Sequence, residues 1–139
     1  MYKFVNGEEM TKKECNDKTY CSNITDLPTE MEETVCFNGG LDEIKKRIPK
    51  KNELIDESVT FKALSDIIRL QIIHALMISD FCPCILKEIT DTTDSKLSYH
   101  LNILEEANLI SYSSMKKWRI YGLTEYGKSV INNYLSLSK

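Results

Sequence analysis

The chain has no long apolar run. No segment approaches the roughly 18 consecutive apolar residues that a membrane-spanning helix needs, so an integral membrane protein of the helical kind is not expected. The first residues, Met1-Tyr2-Lys3-Phe4-Val5-Asn6-Gly7, lack the apolar core of a signal peptide, and the expected location is the cytoplasm. Histidine is scarce, with two in the whole chain. His74 sits in an apolar helical pattern, and neither histidine joins a nucleophile and a base in a catalytic constellation. An enzyme is therefore not expected. Nor does the chain show an internal repeat.

A positive excess is also missing, since the formal net charge is −3. That argues mildly against a nucleic-acid binder until the charge is divided along the chain. Residues 1–56 carry 12 Asp/Glu and 9 Lys/Arg, whereas residues 57–139 carry 9 of each. Affinity for DNA follows where cations cluster and not the total. The second part is neutral and keeps the possibility open.

What is present is a length of 139 residues with 42% apolar and 28% charged side chains, ordinary for one soluble domain with an extension. Five cysteines accompany them. In a reducing compartment they point away from structural disulfides and toward metal ligation, redox chemistry or simple burial.

The organisation changes along the chain. Residues 1–40 are polar, and Cys15, Cys21 and Cys36 are scattered among turn formers such as Asn23, Pro28, Asn38, Gly39 and Gly40. No period is sustained there, which describes an arm. Residues 41–139 form the expected folded domain. A helix is predicted from Leu41 to just before Pro49, with Pro49-Lys50-Lys51-Asn52 as a connector. Ser58 is placed to cap a helix carrying Val59, Phe61 and Leu64, with a bend near Asp66. Ile68, Ile72, Ile73, Leu76 and Met77 then recur at helical spacing.

Pro83 suits the first position of a short helix running to Ile89. Thr90-Asp91-Thr92-Thr93 is a turn of the length that joins the two helices of a helix-turn-helix. Thr93 is placed to cap the following helix, whose stripe is Leu97, Leu101 and Leu104, extended by Ala107. After Asn108 the period shifts toward two through Ile110, Tyr112, Trp118 and Ile120, a β-hairpin with a basic tip. Thr124 caps a last helix bearing Tyr126, Val130, Ile131 and Tyr134.

Helix, polar turn, second helix and basic hairpin describe a winged helix-turn-helix: mainly α with a small β-hairpin, of the α+β kind. A helix fits the major groove and its exposed N-terminal residues reach base edges. Thr93, Ser95, Lys96, Ser98, Tyr99 and His100 are the candidate readers. Lys116, Lys117 and Arg119 in the hairpin are candidates for backbone phosphates or an adjacent minor groove. A solvated amphipathic helix and a surface hairpin would account for either piece alone, and a histidine packed under the turn would account for His100. The ordered succession favours DNA.

Cys82 and Cys84 flank Pro83 at the start of the short helix. Free amides and the positive end of the helix dipole lower a thiol pKa there. Thiolates select soft or borderline ions such as Zn(II), Cd(II), Pb(II) or Cu(I), and trivalent arsenic and antimony share that preference. Two residues apart on a regular helix would point apart, so a shared ion requires the pair to sit at the ragged helix start. One Cys-x-Cys supplies two ligands, and Cys15, Cys21 and Cys36 are the available sources of more. The plain alternative is a set of buried cysteines.

Residues from about Phe61 to Leu123 resemble the ArsR/SmtB family of metal-sensing winged-helix repressors. The resemblance lies in Phe61-Lys62-Ala63-Leu64-Ser65-Asp66, Arg69-Leu70, Cys82-Pro83-Cys84, Ser95-Lys96-Leu97-Ser98-Tyr99-His100-Leu101, Leu104 and Trp118-Arg119-Ile120-Tyr121. It implies a homodimer formed through the first and last helices of the domain, a roughly palindromic double-stranded operator, and release when an effector binds. In the cadmium- and lead-sensing branch an N-terminal arm donates two cysteines to a four-sulfur site with the Cys-x-Cys pair. Cys15 and Cys21 resemble that arrangement in order, at a somewhat wider spacing, and Cys36 is a fifth sulfur or a bystander.

Two departures stand out. The family's second metal site uses histidines and carboxylates on the last helix, which here has no histidine and only Glu125. The hairpin tip also lacks the family's usual glycine. The resulting expectation is a repressor released by a thiophilic metal or metalloid. A thiol-redox-responsive regulator using Cys82 and Cys84, or a winged-helix module that contacts protein, are the alternatives.

Overall fold

A computed structural model describes residue 24 and residues 26–137, with side chains to residue 134. The described residues fall into two compact units, the first ending at Glu53 and the second beginning at Leu54.

In the first unit, Pro28 precedes helix α1 (Thr29–Phe37), whose first turn carries Glu30 and Glu32 against the positive end of the dipole. The sequence reading placed no element here. Its apolar residues Val35, Cys36 and Phe37 run together at its end and it is flanked by turn formers, so no period is sustained. It ends where Gly39 and Gly40 adopt φ of +86° and +90°, values that a side chain would strain. Helix α2 (Leu41–Arg47) follows as expected. Asp42 and Glu43 open it, and Lys45, Lys46 and Arg47 close it, in the order the dipole favours.

In the second unit, helix α3 (Ile55–Leu64) begins ahead of Ser58, which lies inside it with its N–H donating to Leu54 O at 3.0 Å. The expected bend near Asp66 is a true helix start. Asp66 takes extended backbone, and its Oδ1 accepts from the Arg69 N–H at 3.1 Å to cap α4 (Ile67–Ile78). Helix α5 (Pro83–Thr90) has Pro83 at its start, where its missing N–H has no partner to lose. Asp91, at φ +47°, reverses the chain into helix α6 (Asp94–Glu106).

Strands β1 (Ile110–Met115) and β2 (Trp118–Leu123) pair antiparallel, with Ile110 opposite Leu123 and Met115 opposite Trp118. That register leaves Lys116 and Lys117 as a two-residue tip. Helix α7 (Glu125–Leu137) closes the unit, capped by Thr124 Oγ1, which accepts from the Gly127 N–H at 2.9 Å.

The core lies where α4, α5 and α6 meet the base of the hairpin. Ile72, Ile73, Leu86, Leu104, Leu109 and Ile110 are its largest fully buried side chains. Each contributes roughly 1.5–3 kcal/mol of transfer free energy. The Leu97, Leu101 and Leu104 stripe is buried as its spacing requires, and it fixes which face of α6 is left to solvent. Among the described residues no helix is long and apolar enough to cross a membrane.

Candidate nucleic-acid interface and thiol pair

The first turn of α6 is built to stay exposed. Thr93 Oγ1 accepts from the Lys96 N–H at 3.4 Å, and Asp94 sits at the positive end of the dipole. Lys87 of α5 donates to Asp94 Oδ2 at 2.8 Å, a surface pair that ties the two helices of the motif across their turn. Lys87 holds its proton more firmly because of that bond and the Asp94 charge. With Leu97, Leu101 and Leu104 turned inward, Thr93, Ser95, Lys96, Ser98 and Tyr99 are exposed, and Tyr99 retains 61% of its surface. These five share the solvent side of the helix start, the side that recognition helices in general turn to base edges and phosphates.

His100 does not join them. It is 7% exposed and faces the interior, with Nδ1 3.4 Å from an Arg69 guanidinium nitrogen and 3.6 Å from Asp66 Oδ1. The cause is periodicity: position 100 lies beside Leu97, Leu101 and Leu104 on the packed face. The polar residues beneath it, Asp66 and Arg69, were not read from the sequence as a partner set. Their signal was the short spacing from an N-cap acid to a basic residue one turn on.

The hairpin brings its cations to one end. Lys116 and Lys117 form the tip, and Lys117 Nζ lies 5.7 Å from the Trp118 ring. Lys116 takes φ +54°, the left-handed conformation that a glycine would otherwise supply, which is how the tip closes without one. Arg119 stacks its guanidinium over Tyr112 at 4.6 Å. A hydrogen bond to Tyr121, and then the Tyr112 and Tyr121 oxygens, push the Arg119 pKa up. Its planar group is thereby held in place on the exposed hairpin.

Cys82 takes extended backbone (φ −73°, ψ 161°) as the N-cap of α5, and Cys84 lies within the first turn. Leaving the helix at Cys82 turns its side chain toward Cys84, as the ragged-start argument required. The Cα atoms are 5.4 Å apart and the two sulfurs are joined in a disulfide. Cys84 is exposed and Cys82 half-buried, so the pair is open to solvent.

Reduced, the same two sulfurs face one another at the head of a helix. That suits two thiolate donors to one thiophilic ion. The fit is partial, because no group of three or more His, Cys, Asp or Glu among the described residues could hold a metal. Cys36 lies buried on α1, in the other unit. Cys15 and Cys21 lie outside the described residues.

The pair is tied to the wing. Phe81, the residue before Cys82, exchanges two backbone hydrogen bonds with Tyr121 of β2, at 3.0 and 2.9 Å. From Cys84 onward α5 leads directly into the turn and α6. A change at the thiol pair thus has a short path along the chain to α6 and, through these two hydrogen bonds, to the hairpin.

These elements define the class: a winged helix-turn-helix, with α5 and α6 as the motif and β1–β2 as the wing. The model of the bacterial regulatory protein, arsR family, matches residues 66–112. The arsenical resistance operon repressor of Bacillus subtilis (strain 168) is 42% identical over 86 residues, covering 61% of this chain and 77% of that protein. A cadmium resistance transcriptional regulatory protein CadC homolog of Staphylococcus aureus is 30% identical over 82 residues, 58% of this chain and 67% of that one. Among solved structures, HlyU from Vibrio cholerae N16961 superposes with a TM-score of 0.57 at 26% identity, over 64% of this chain and 97% of its own. The chain belongs to the ArsR family. It is a DNA-binding transcriptional regulator and not an enzyme.

Proposed function

We propose that the protein is a cytoplasmic, homodimeric repressor that leaves a palindromic operator when a thiophilic metal or metalloid binds reduced Cys82 and Cys84. The observation that carries the reading is the placement of this pair: it caps the first helix of the motif, one residue after the Phe81–Tyr121 bridge to the wing. The names of the relatives, arsenical and cadmium resistance regulators, support a thiophilic effector of the As(III), Cd(II), Pb(II) or Zn(II) kind. Cys15 and Cys21, in the arm of residues 1–40, are proposed as the further sulfurs, since two donors leave a soft ion under-coordinated.

Base reading is assigned to Ser95, Lys96, Ser98 and Tyr99, with Thr93 at the helix start. Phosphate contact is assigned to Lys116, Lys117 and Arg119. Dimerisation is assigned to α3 and α7 within residues 41–139. The outer side chains Ile55, Val59, Phe61 and Tyr134 are exposed on one protomer, and Thr60 Oγ1 meets the Tyr126 hydroxyl at 2.8 Å to join the two helices. Bound to the two thiolates of the reduced pair, the ion would hold the sulfurs through a larger bridge than the disulfide does. Release follows if the DNA-bound form holds that bridge less well than the free form.

The test is operator binding titrated with Cd(II), Zn(II), Pb(II) and As(III) under reducing conditions, for the wild type and for Cys82→Ser. At least one ion should weaken wild-type binding tenfold or more, about 1.4 kcal/mol of coupling, while Cys82→Ser stays bound. If no ion weakens binding, or Cys82→Ser responds like the wild type, the thiol pair is not the sensor. Cys15→Ser and Cys21→Ser, titrated the same way, report whether the arm contributes ligands.

A further inference from the structure

A buried polar cluster under α6 has no part in the reading face or the thiol pair. Arg69 is 8% exposed, although arginine is seldom buried without partners. Its Nε donates to Ala63 O, and another guanidinium nitrogen donates to Lys62 O at 3.1 Å. These are end carbonyls of α3; that of Lys62 also accepts from the Ser65 N–H and hydroxyl at the helix end. The remaining guanidinium nitrogen lies 3.4 Å from His100 Nδ1. Arginine only donates, so in this contact Nδ1 is the acceptor and Nε2 carries the ring proton. Asp66 completes the set from the start of α4, capping Arg69's own N–H and lying 3.6 Å from the same imidazole nitrogen.

One side chain therefore joins the end of α3, the first turn of α4 and the middle of α6. The cluster also continues outward. The Tyr99 ring stands edge-on to His100, with centroids 5.3 Å apart. The most exposed aromatic on the reading face thus rests against the buried imidazole.

Leucines at 97, 101 and 104 bury α6, but apolar packing is non-directional and tolerates small rotations and slides of a helix. Directed polar bonds do not, and a guanidinium fixed by two carbonyls offers the imidazole one position. We propose that Arg69 and His100 are positioning residues for DNA reading: they set the rotation of α6 and the pose of Tyr99, and so govern sequence discrimination more than general affinity. This rests on α6 being the reading helix.

Sequence is read through base-edge contacts, whereas general affinity comes from phosphate neutralisation and falls with salt. A mis-seated helix that keeps Lys96 and the hairpin cations should lose the first and keep the second. The experiment uses the full-length reduced protein, a duplex selected by the wild type from a random-sequence pool, and a scrambled duplex of the same composition. Affinities for both are measured over a range of salt, with thermal unfolding alongside.

His100→Leu, which keeps the volume and removes the bond, should lower the ratio of selected to scrambled affinity about tenfold, the scale of one lost base contact. The salt slope and the scrambled affinity should be unchanged. His100→Gln, whose carbonyl can still accept from Arg69, should recover most of the ratio. Arg69→Lys, which keeps a buried cation and loses the fork, should behave like His100→Leu and serves if that variant unfolds.

The proposal is overturned if folded variants retain the wild-type ratio. It is equally overturned if both affinities fall together in proportion to lost stability, or if His100→Gln is no better than His100→Leu. A wild type that does not distinguish the two duplexes would instead refute α6 as a reading helix.

Discussion

At the scale of single residues, the informative positions are those where a polar group is held by partners far away in the chain. Asp66 is one. Burial pushes its carboxyl up, but the bond from the Arg69 N–H and the Arg69 charge lead the opposing effects and hold it below the ordinary value of 3.8. A carboxyl with a lowered folded pKa stabilises the fold above its unfolded pKa and loses that contribution as pH falls through the folded one. Asp66→Ala should therefore cost about 1 kcal/mol at neutral pH, as for the loss of a helix cap. The deficit should shrink as the pH is taken below 3.8, where the wild-type group protonates too. Urea unfolding of both proteins across that range checks it, and a deficit independent of pH would assign the effect to the cap geometry alone.

His100 shows the limit of reading a sequence at this scale. Its neighbours Ser98 and Tyr99 are on the solvent side, and only the helical phase separates it from them. The residues that hold it, Asp66 and Arg69, are more than thirty positions away. A long-range polar cluster leaves no local period. Lys116 was illegible for a different reason: a lysine at φ +54° carries no sign that it occupies a glycine-like position.

At the scale of elements, most of the second unit was legible because its signals were redundant. Pro83 at a helix start, Thr93 and Thr124 as caps, and the leucine stripe of α6 each agreed with the period around them. Where a cap was inferred without that agreement, as at Ser58, the helix began earlier. Helix α1 was missed because its apolar residues form no stripe: Val35, Cys36 and Phe37 run together at its end and Met31 stands alone among acids.

Gly127 adds a constraint that patterning could not reveal. A Cβ there would run into the backbone carbonyl of Leu109, the same carbonyl that accepts from the Thr124 N–H at 3.1 Å. Thr124 Oγ1 also bonds the chain at Asn108, at 2.6 Å, so the start of α7 is pressed onto the entry to β1. Gly127→Ala should therefore destabilise the fold by about 1–3 kcal/mol, against the usual gain from replacing glycine in a helix. Calorimetry should register a fall of roughly 4–8 °C per kcal/mol for a domain of this size. An unchanged or higher melting temperature would mean that α7 shifts freely.

At the scale of the whole molecule, the thiol pair can hold an ion or a disulfide but not both. Cys82 and Cys84 are joined here, and Cys84 is exposed, so each thiol can meet a reductant or an oxidant from solvent. Forming the bond removes two electrons and two protons from the dithiol, and a low-molecular-weight disulfide accepts both as it is reduced to two thiols. Neither sulfur of the protein disulfide remains an anionic donor, so the oxidised protein should be blind to thiophilic ions whatever the arm supplies. Titrating operator binding with Cd(II) before and after reduction should show release only from the reduced form. The oxidised form should stay bound, because the bridge between sulfurs already in contact leaves Phe81 on Tyr121 and α5 on α6 as they are. Release by Cd(II) from fully oxidised protein would place the sensor elsewhere, on other cysteines. Release by oxidation alone, with no ion added, would make the disulfide the signal and the metal incidental. The two outcomes separate a metal sensor from a redox sensor built on the same two residues.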